Sequence, residues 1–388
     1  MIKHLFKLIW NQKRKSFLLI TEIFFSFMVL FAVLSLMVKY IQNYSKPMGF
    51  EYENVWVVNL DNLTEIETDS LGTPFHQARE FITSFPEVEA VSFASQNLPF
   101  AASTHNSSVK YGNISSMAHI YTVEDTYPKT MNLQMSKGRW FDKTDQGTKY
   151  QPIVITEQLS QNLFGNENPI GKIIKADTTH KVVGVVASYK DKGDFTDPVA
   201  GIFFPISAGK DYKSNILVKV KPGTGAIFEA KLFKGLGGLL RGWNVEIEHL
   251  TDKKANQNKV VFIPMTVLLI VCTFLIFNVS LGLFGILWQN INQRKGEIGL
   301  RRAIGATEKD ISKQFIGEVM VIATFALIIG LFFAVQFPLL HVFDLAADIY
   351  LIAMLISVIV IYLLVMVCAF NPSRQAASIQ PAMALHEE

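Results

Sequence analysis

The 388-residue chain is poor in the residues that do chemistry in water. Its two cysteines, Cys272 and Cys368, both fall inside long apolar runs, which excludes a disulfide-stapled scaffold for the polar middle of the chain. There is no H-E-x-x-H, no G-x-S-x-G and no C-x-x-C, so the local signatures of zinc proteases, α/β hydrolases and dithiol redox sites are missing. No G-x-x-x-x-G-K-[ST] occurs, so the sequence has no P-loop with which to hold nucleotide phosphates. GLGGLLRG at 235–242 is glycine-rich but lacks the Lys-Ser/Thr pair, and it reads as a flexible helix end. Charged residues make up 18% of the chain against 50% hydrophobic, too few for a water-soluble protein of this size.

The remaining polar clusters are weak. His76, His105, His119, His180 and His249 are scattered without ligand spacing and read as structural histidines. DKGDFTD at 191–197 places acids three apart, whereas calcium loops need oxygen ligands on alternate positions, so it reads as a solvated loop. Ser103, Ser107 and Ser108 lie near His105 in a polar loop with no third group.

What the chain has is long apolar runs. A helix needs about 20 apolar residues to cross a hydrocarbon core, and four runs meet that length: 17–38, 260–288, 319–341 and 349–370. The second is over-long, which predicts tilt or continuation beyond the bilayer. Lys3, Lys7, Lys13, Arg14 and Lys15 precede the first run, and Arg294, Lys295, Arg301, Arg302, Lys309 and Lys313 follow the second. The gap between the third and fourth carries only Asp344 and Asp348. By the positive-inside rule segment 1–16, the loop at 289–318 and the tail at 371–388 face the cytoplasm, and 39–259 lies outside. The first run is too long for a signal peptide and no A-x-A site follows, so it is a retained anchor.

The outer segment alternates strand and helix signals. Strands are expected at 53–60, 88–94, 109–111, 118–123, 151–155, 181–188, 216–220 and 243–247, and helices at 75–85, 157–164 and 224–240. The fold class is therefore four transmembrane helices with a large α+β extracytoplasmic domain between the first two, divisible into two subdomains. Within the spans, Asn278, Ser280, Gly282 and Gly285 are small or polar and suit close helix packing. Glu22, one to two turns inside the first span, reads as an interfacial carboxylate near Lys15, with a link to a neighbouring helix as the functional alternative.

The segment RKGEIGLRRAIGAT, 294–307, is the most patterned. Residues 297–304 suit a short helix stopped by Gly305 as a residue free to take positive φ. Thr307 and Asp310 then form a capping-box pattern for the next helix, whose Ile311 and Phe315 suit packing against the Ile304 side of the first. The result is an elbow at the inner membrane surface. Lipid phosphates account for some of its basic residues, but not for Glu297 or the Gly299 and Gly305 pair, which suit close docking.

This stretch resembles the E-I-G-x-x-R-A-x-G-A motif of the FtsX/MacB-type permeases of ABC transporters. PIVITEQLSQNLFGNENPIGKIIK, 152–175, is similar to the L-F-G-x-x-x-P-[IL]-G-K pattern of the MacB-type periplasmic domain. NPSRQAASIQPAMAL, 371–385, resembles the P-x-x-x-A-x-x-x-x-P-x-x-A-L tail, and WNQKRKSFLL resembles the family's opening. The sequence departs at Gly296, where relatives usually carry a charged residue; that contact is either lost or moved to Lys295.

The resemblance implies a permease without its own motor, working as a homodimer or beside a related permease. ATP and magnesium would sit on a separate ATPase subunit, with no cofactor or metal bound by this chain. Motion would pass by mechanotransmission to the outer domain, for export or efflux across the bacterial inner membrane. Glu297, Ile298, Gly299, Arg301 and Gly305 would carry ATPase docking, and Thr307, Ile311 and Phe315 would anchor the elbow. Phe164, Gly165, Pro169 and Gly171 would shape a structural turn. A periplasmic adaptor, an outer-membrane channel and membrane lipid are further partners; nucleic acid is not. The alternative is an FtsX-like signalling permease that activates a cell-wall hydrolase.

Overall fold

The computed structural model describes residues 13–62, 72–145, 147–206 and 214–377. The basic opening up to residue 12 and the last part of the tail motif, 378–385, lie outside the described residues. The chain divides into two compact units, one of residues up to Ile41 and from Ile263 onward, the other Gln42–Phe262.

In chain order the elements are α1 (Lys13–Ser45), β1 (Val55–Asn62), α2 (Gly72–Thr83), β2 (Val88–Gln96), β3 (Asn106–Tyr111), β4 (Ile114–Val123), α3 (Tyr127–Met131) and β5 (Met135–Gly138). There follow β6 (Gln151–Thr156), α4 (Glu157–Phe164), β7 (Ile173–Lys175), β8 (Thr179–Val186), β9 (Gly201–Pro205), β10 (Ser214–Val220), α5 (Ala226–Leu239) and β11 (Trp243–His249). The chain ends in α6 (Leu250–Gln293), α7 (Lys295–Ala303), α8 (Glu308–Ala334), α9 (Gln336–Leu339) and α10 (Ala347–Ala377).

Among the described residues all strands join one 11-stranded sheet, which has two parts. The first is the antiparallel run β11-β1-β10-β2. Its chain path is β1-α2-β2 and, after a long insertion, β10-α5-β11, a split βαβ arrangement of the ferredoxin-like kind. Period-two alternation on β1 sends Trp56, Val58 and Leu60 to one face and Val55 and Val57 to the other. The first set packs under Phe75, Ala78 and Ile82 of α2 and Phe228, Leu232 and Leu236 of α5, which repeat at helical spacing. GLGGLLRG holds the end of α5, which stops at Leu239, but its first glycine is packed: a Cβ on Gly235 would come within 2.2 Å of the Phe81 ring.

The second part is the insertion. Its pairings run β4-β3-β7-β8-β6-β9 and return to β4, closing the strands on themselves, while β5 adds to β8. One apolar layer combines Ile120, Ile153, Val182 and Ile202 with Leu159, Leu163 and Phe164 of α4. The other combines Tyr121, Val154 and Phe203 with Tyr127, Met131 and Tyr189.

Among the described residues, four helical stretches are long and apolar enough to cross a membrane, and most of their length lies in the remaining unit: Phe17–Ser45, Leu250–Gln293, Glu308–Leu339 and Ala347–Gln375. Leu19, Ile23, Phe27, Leu30 and Phe31 of α1 pack with Val319, Ala323, Ala326 and Leu327 of α8 and with Tyr350, Ala353 and Ile361 of α10. Gly330 admits the Phe27 ring, which a Cβ there would meet at 2.5 Å. Helix α6 differs, since Ile263, Val267, Ile270, Phe274, Phe277, Leu281, Phe284 and Trp288 are all exposed along its length.

Candidate functional site

The elbow begins where α6 ends. Helix α7 buries Ile298, which joins Ile291 of α6 and Ile311 and Phe315 of α8 in a small apolar core. Ile298, not Ile304, is therefore the partner of Ile311 and Phe315, because α7 begins at Lys295 and presents that phase inward. Ile304 is 78% exposed and Leu300 54%. Gly305 takes φ +106° just after the helix, as a left-handed terminator does. Thr307 caps α8, with its hydroxyl accepting from the Asp310 N–H and the Asp310 carboxylate accepting from the Thr307 N–H.

The elbow's charged residues face one another in a ring. Arg294 Nε donates to Glu297 Oε2 at 2.8 Å, and Arg294 Nη1 donates to Glu318 Oε2 at 2.9 Å. Gln314 Nε2 donates to Glu318 Oε1 at 3.1 Å, Arg301 donates to Gln314, and Arg301 Nη2 returns to Glu297 Oε1. Burial works against the Arg294 charge, but hydrogen bonds and attraction from Glu297 and Glu318 outweigh it and raise its pKa further. Glu297 is 43% exposed and held by two arginines of its own elbow, so its presence in the motif has an internal reason. Arg302, at the motif's arginine position, pairs with Glu308 at 3.3 Å.

Among the expected residues, Glu297 and Arg301 belong to the ring, Ile298 and Gly299 are buried, and Gly305 is the turn. The exposed apolar tip formed by Leu300, Ala303 and Ile304 was not legible as such. Only the spacing of Leu300 and Ile304, four apart on α7, signalled a face opposite the ring. In α6, Gly282 meets the Glu22 carboxylate, with 2.5 Å from an ideal Cβ to Oε2, whereas Gly285 has open space. Asn278 and Ser280 donate to their own helix, to the carbonyls of Phe274 and Ile276 at 2.9 and 2.8 Å. The tail motif continues α10, where Ser373 accepts from Ser312 of α8 at 3.0 Å.

In the other unit, Phe164 packs on Tyr111, and Gly165 and Gly171 take φ of +57° and +82° around the buried Pro169. That set shapes the turn between α4 and β7.

The DKGDFTD segment is no solvated loop. The Lys190 ammonium, 1% exposed, donates to the carbonyls of Asn43 at 2.8 Å and Asp194 at 2.6 Å. A cation against the last carbonyls of α1 also suits the negative end of the helix dipole. Burial pulls the Lys190 pKa below its ordinary value. Asp194 turns to α6, pairing with Lys254 at 3.0 Å and accepting from Asn258 Nδ2 at 2.8 Å. Lys46 pairs with Asp197 at 2.9 Å, and the Phe195 ring lies 5.7 Å from Tyr44 and 4.8 Å from Phe262. Residues 190–197 therefore clasp the end of α1 to the beginning of α6. Sequence reasoning missed this clasp because the Asn43 carbonyl that receives the Lys190 ammonium lies 147 residues away.

Comparison with known proteins finds two family domains along the chain. Residues 16–230 match the MacB-like periplasmic core domain, and residues 265–381 match the FtsX-like permease C-terminal domain. The chain is 25% identical over 296 residues to a probable syringafactin export ATP-binding/permease protein of Pseudomonas syringae pv. syringae, covering 71% of this chain and 44% of that one. It is 24% identical over 357 residues to a macrolide export ATP-binding/permease protein of Bartonella henselae, covering 87% and 53%. The chain thus spans about half the length of these relatives. The solved periplasmic region of MacB from Actinobacillus actinomycetemcomitans aligns with a TM-score of 0.39 at 18% identity, over 55% of this chain and 97% of that one. With more than half its length in the first match and most of its remaining helices in the second, the chain belongs to the MacB-like, FtsX-like family of ABC transporter permeases.

Proposed function

We propose that this permease receives ATP-driven motion from a separate ATPase subunit at its elbow and delivers it to the outer domain, in the service of export. The observation that carries the reading is the continuity of α6, one helix from Leu250 beside the clasp to Gln293 beside the elbow. A continuous helix with a coupling surface at one end and a domain clasp at the other suits mechanical transmission. The scarcity of polar side chains in the spans fits a route in which cargo does not cross them.

In this reading Leu300, Ala303 and Ile304 enter an apolar recess of the ATPase, while Glu297 and Arg301 hold α7 in place for it. ATP and magnesium belong to that subunit. A second permease copy, or a related permease, covers the exposed face of α6. Both termini face the cytoplasm of a bacterium, in its inner membrane, by the distribution of lysine and arginine. An adaptor and an outer-membrane channel would extend the path outward. The export named for the relatives and the match of the outer domain to the MacB-like type support export over hydrolase activation.

The test is co-purification with the ATPase. Leu300→Ser with Ile304→Ser should abolish association while leaving the chain folded. Undiminished association would contradict the reading. ATP-dependent activation of a cell-wall hydrolase, with no export by the reconstituted complex, would favour the signalling alternative.

A further inference from the structure

Strand β11 ends the sheet: it pairs with β1 on one side and, among the described residues, with no strand on the other. Beside that open edge lies a groove lined by Ala226, Glu229, Ala230 and Phe233 of α5 and by Val245, Glu246 and Ile247 of β11. Its helix wall sets the small Ala226 and Ala230, four apart, beside Glu229 and Phe233, the last 52% exposed. Main-chain groups on an open edge, next to an apolar groove, are the two requirements for strand addition.

Charge decides the occupant. The groove lining carries two carboxylates and no basic group. Glu229 is engaged by His249 at 3.1 Å, which leaves Glu246, exposed at the centre of the strand, with no ion pair among the described residues. A second copy pairing antiparallel about the centre of β11 would set Glu246 against Glu246, a destabilising cross-strand pair. We propose that β11 and α5 form a docking site for an extended polypeptide segment of a different protein, which adds as a strand, sets apolar side chains into the groove and places a lysine or arginine against Glu246.

The full chain in nanodiscs can be probed with an acetylated peptide of alternating valine and lysine. Controls are the same peptide with glutamate for lysine, and one with proline replacing alternate valines. The lysine peptide should bind and slow hydrogen exchange of the amides at 243–249. The proline peptide, which lacks the N–H donors of the replaced valines and cannot complete the ladder, should bind at least about tenfold more weakly. Glu246→Lys should weaken the lysine peptide at least about tenfold, the equivalent of 1.4 kcal/mol, and favour the glutamate peptide. Ala230→Trp, which fills the groove without touching the charge, should also block binding. Binding indifferent to both substitutions, or binding without protection at 243–249, would overturn the proposal. So would protection of 243–249 that rises with protein concentration in the absence of peptide, which would assign the edge to a second copy.

Discussion

Arg294 Nη1 lies 2.9 Å from Glu318 Oε2, although the two residues are 24 apart in the chain. The pair fastens the start of the elbow to the helix that leaves it, and both side chains are largely shielded from solvent. Removing one partner leaves the other charge half-buried without its counter-ion, so Arg294→Met and Glu318→Gln should each destabilise the elbow. The double substitution should cost less than the sum, with a coupling energy of about 0.5–3 kcal/mol. Thermal unfolding of the four proteins in one detergent measures it, and strict additivity would remove the pair from the account.

The two faces of α7 should respond differently. Ile298→Ala opens a cavity among Ile291, Ile311 and Phe315, and should cost about 2–5 kcal/mol of stability. Ile304→Ser, on an exposed residue, should change stability by less than about 0.5 kcal/mol and act on ATPase affinity alone. Melting curves and binding titrations on the same preparations separate the two effects.

At the clasp, Lys190→Met keeps the length of the side chain and removes its donors. The Asn43 and Asp194 carbonyls then lose a buried charged partner, at a cost of about 1.5–3 kcal/mol. ATPase association at the elbow should survive, since no residue of the elbow is touched, while ATP-driven movement of the outer domain should fall. Loss of ATPase association in this variant would show that the clasp acts on general folding.

Pro264 lies inside α6 and removes one intrahelical hydrogen bond, the one its missing N–H would give to Val260. Pro264→Ala should stiffen the helix and raise the melting temperature. If local bending at this turn is part of transmission, the same variant should lose ATP-driven movement despite its added stability. Unchanged movement would assign transmission to the helix as a rigid rod.

The spans and most outer strands were legible because apolar run length and period-two alternation are local signals. Helix α4 falls at 157–164 as read, since Thr156 and Gly165 mark its ends in the sequence itself. The three-residue β7 and the apolar GIFFP of β9 escaped notice, being too short to show a period. Polar TDKKANQNK belongs to the outer unit, as its composition predicts, and it also carries the over-long second helix beyond its apolar run, because the clasp supplies partners for Lys254 and Asn258. The ring that holds Glu297 is not legible in the sequence, because its five side chains come from both sides of the turn at Gly305.

The central claim is that the elbow drives the outer domain. Met117, 61% exposed on β4, can carry a spin label as Met117→Cys once Cys272 and Cys368 are replaced by serine. With the labelled permease and the proposed ATPase reconstituted together in nanodiscs, the distance between labels on paired permease copies should shift on ATP binding. That shift should vanish with Leu300→Ser and Ile304→Ser, although the ATPase still hydrolyses ATP. A distance change that persists in full with the apolar tip removed would contradict the account.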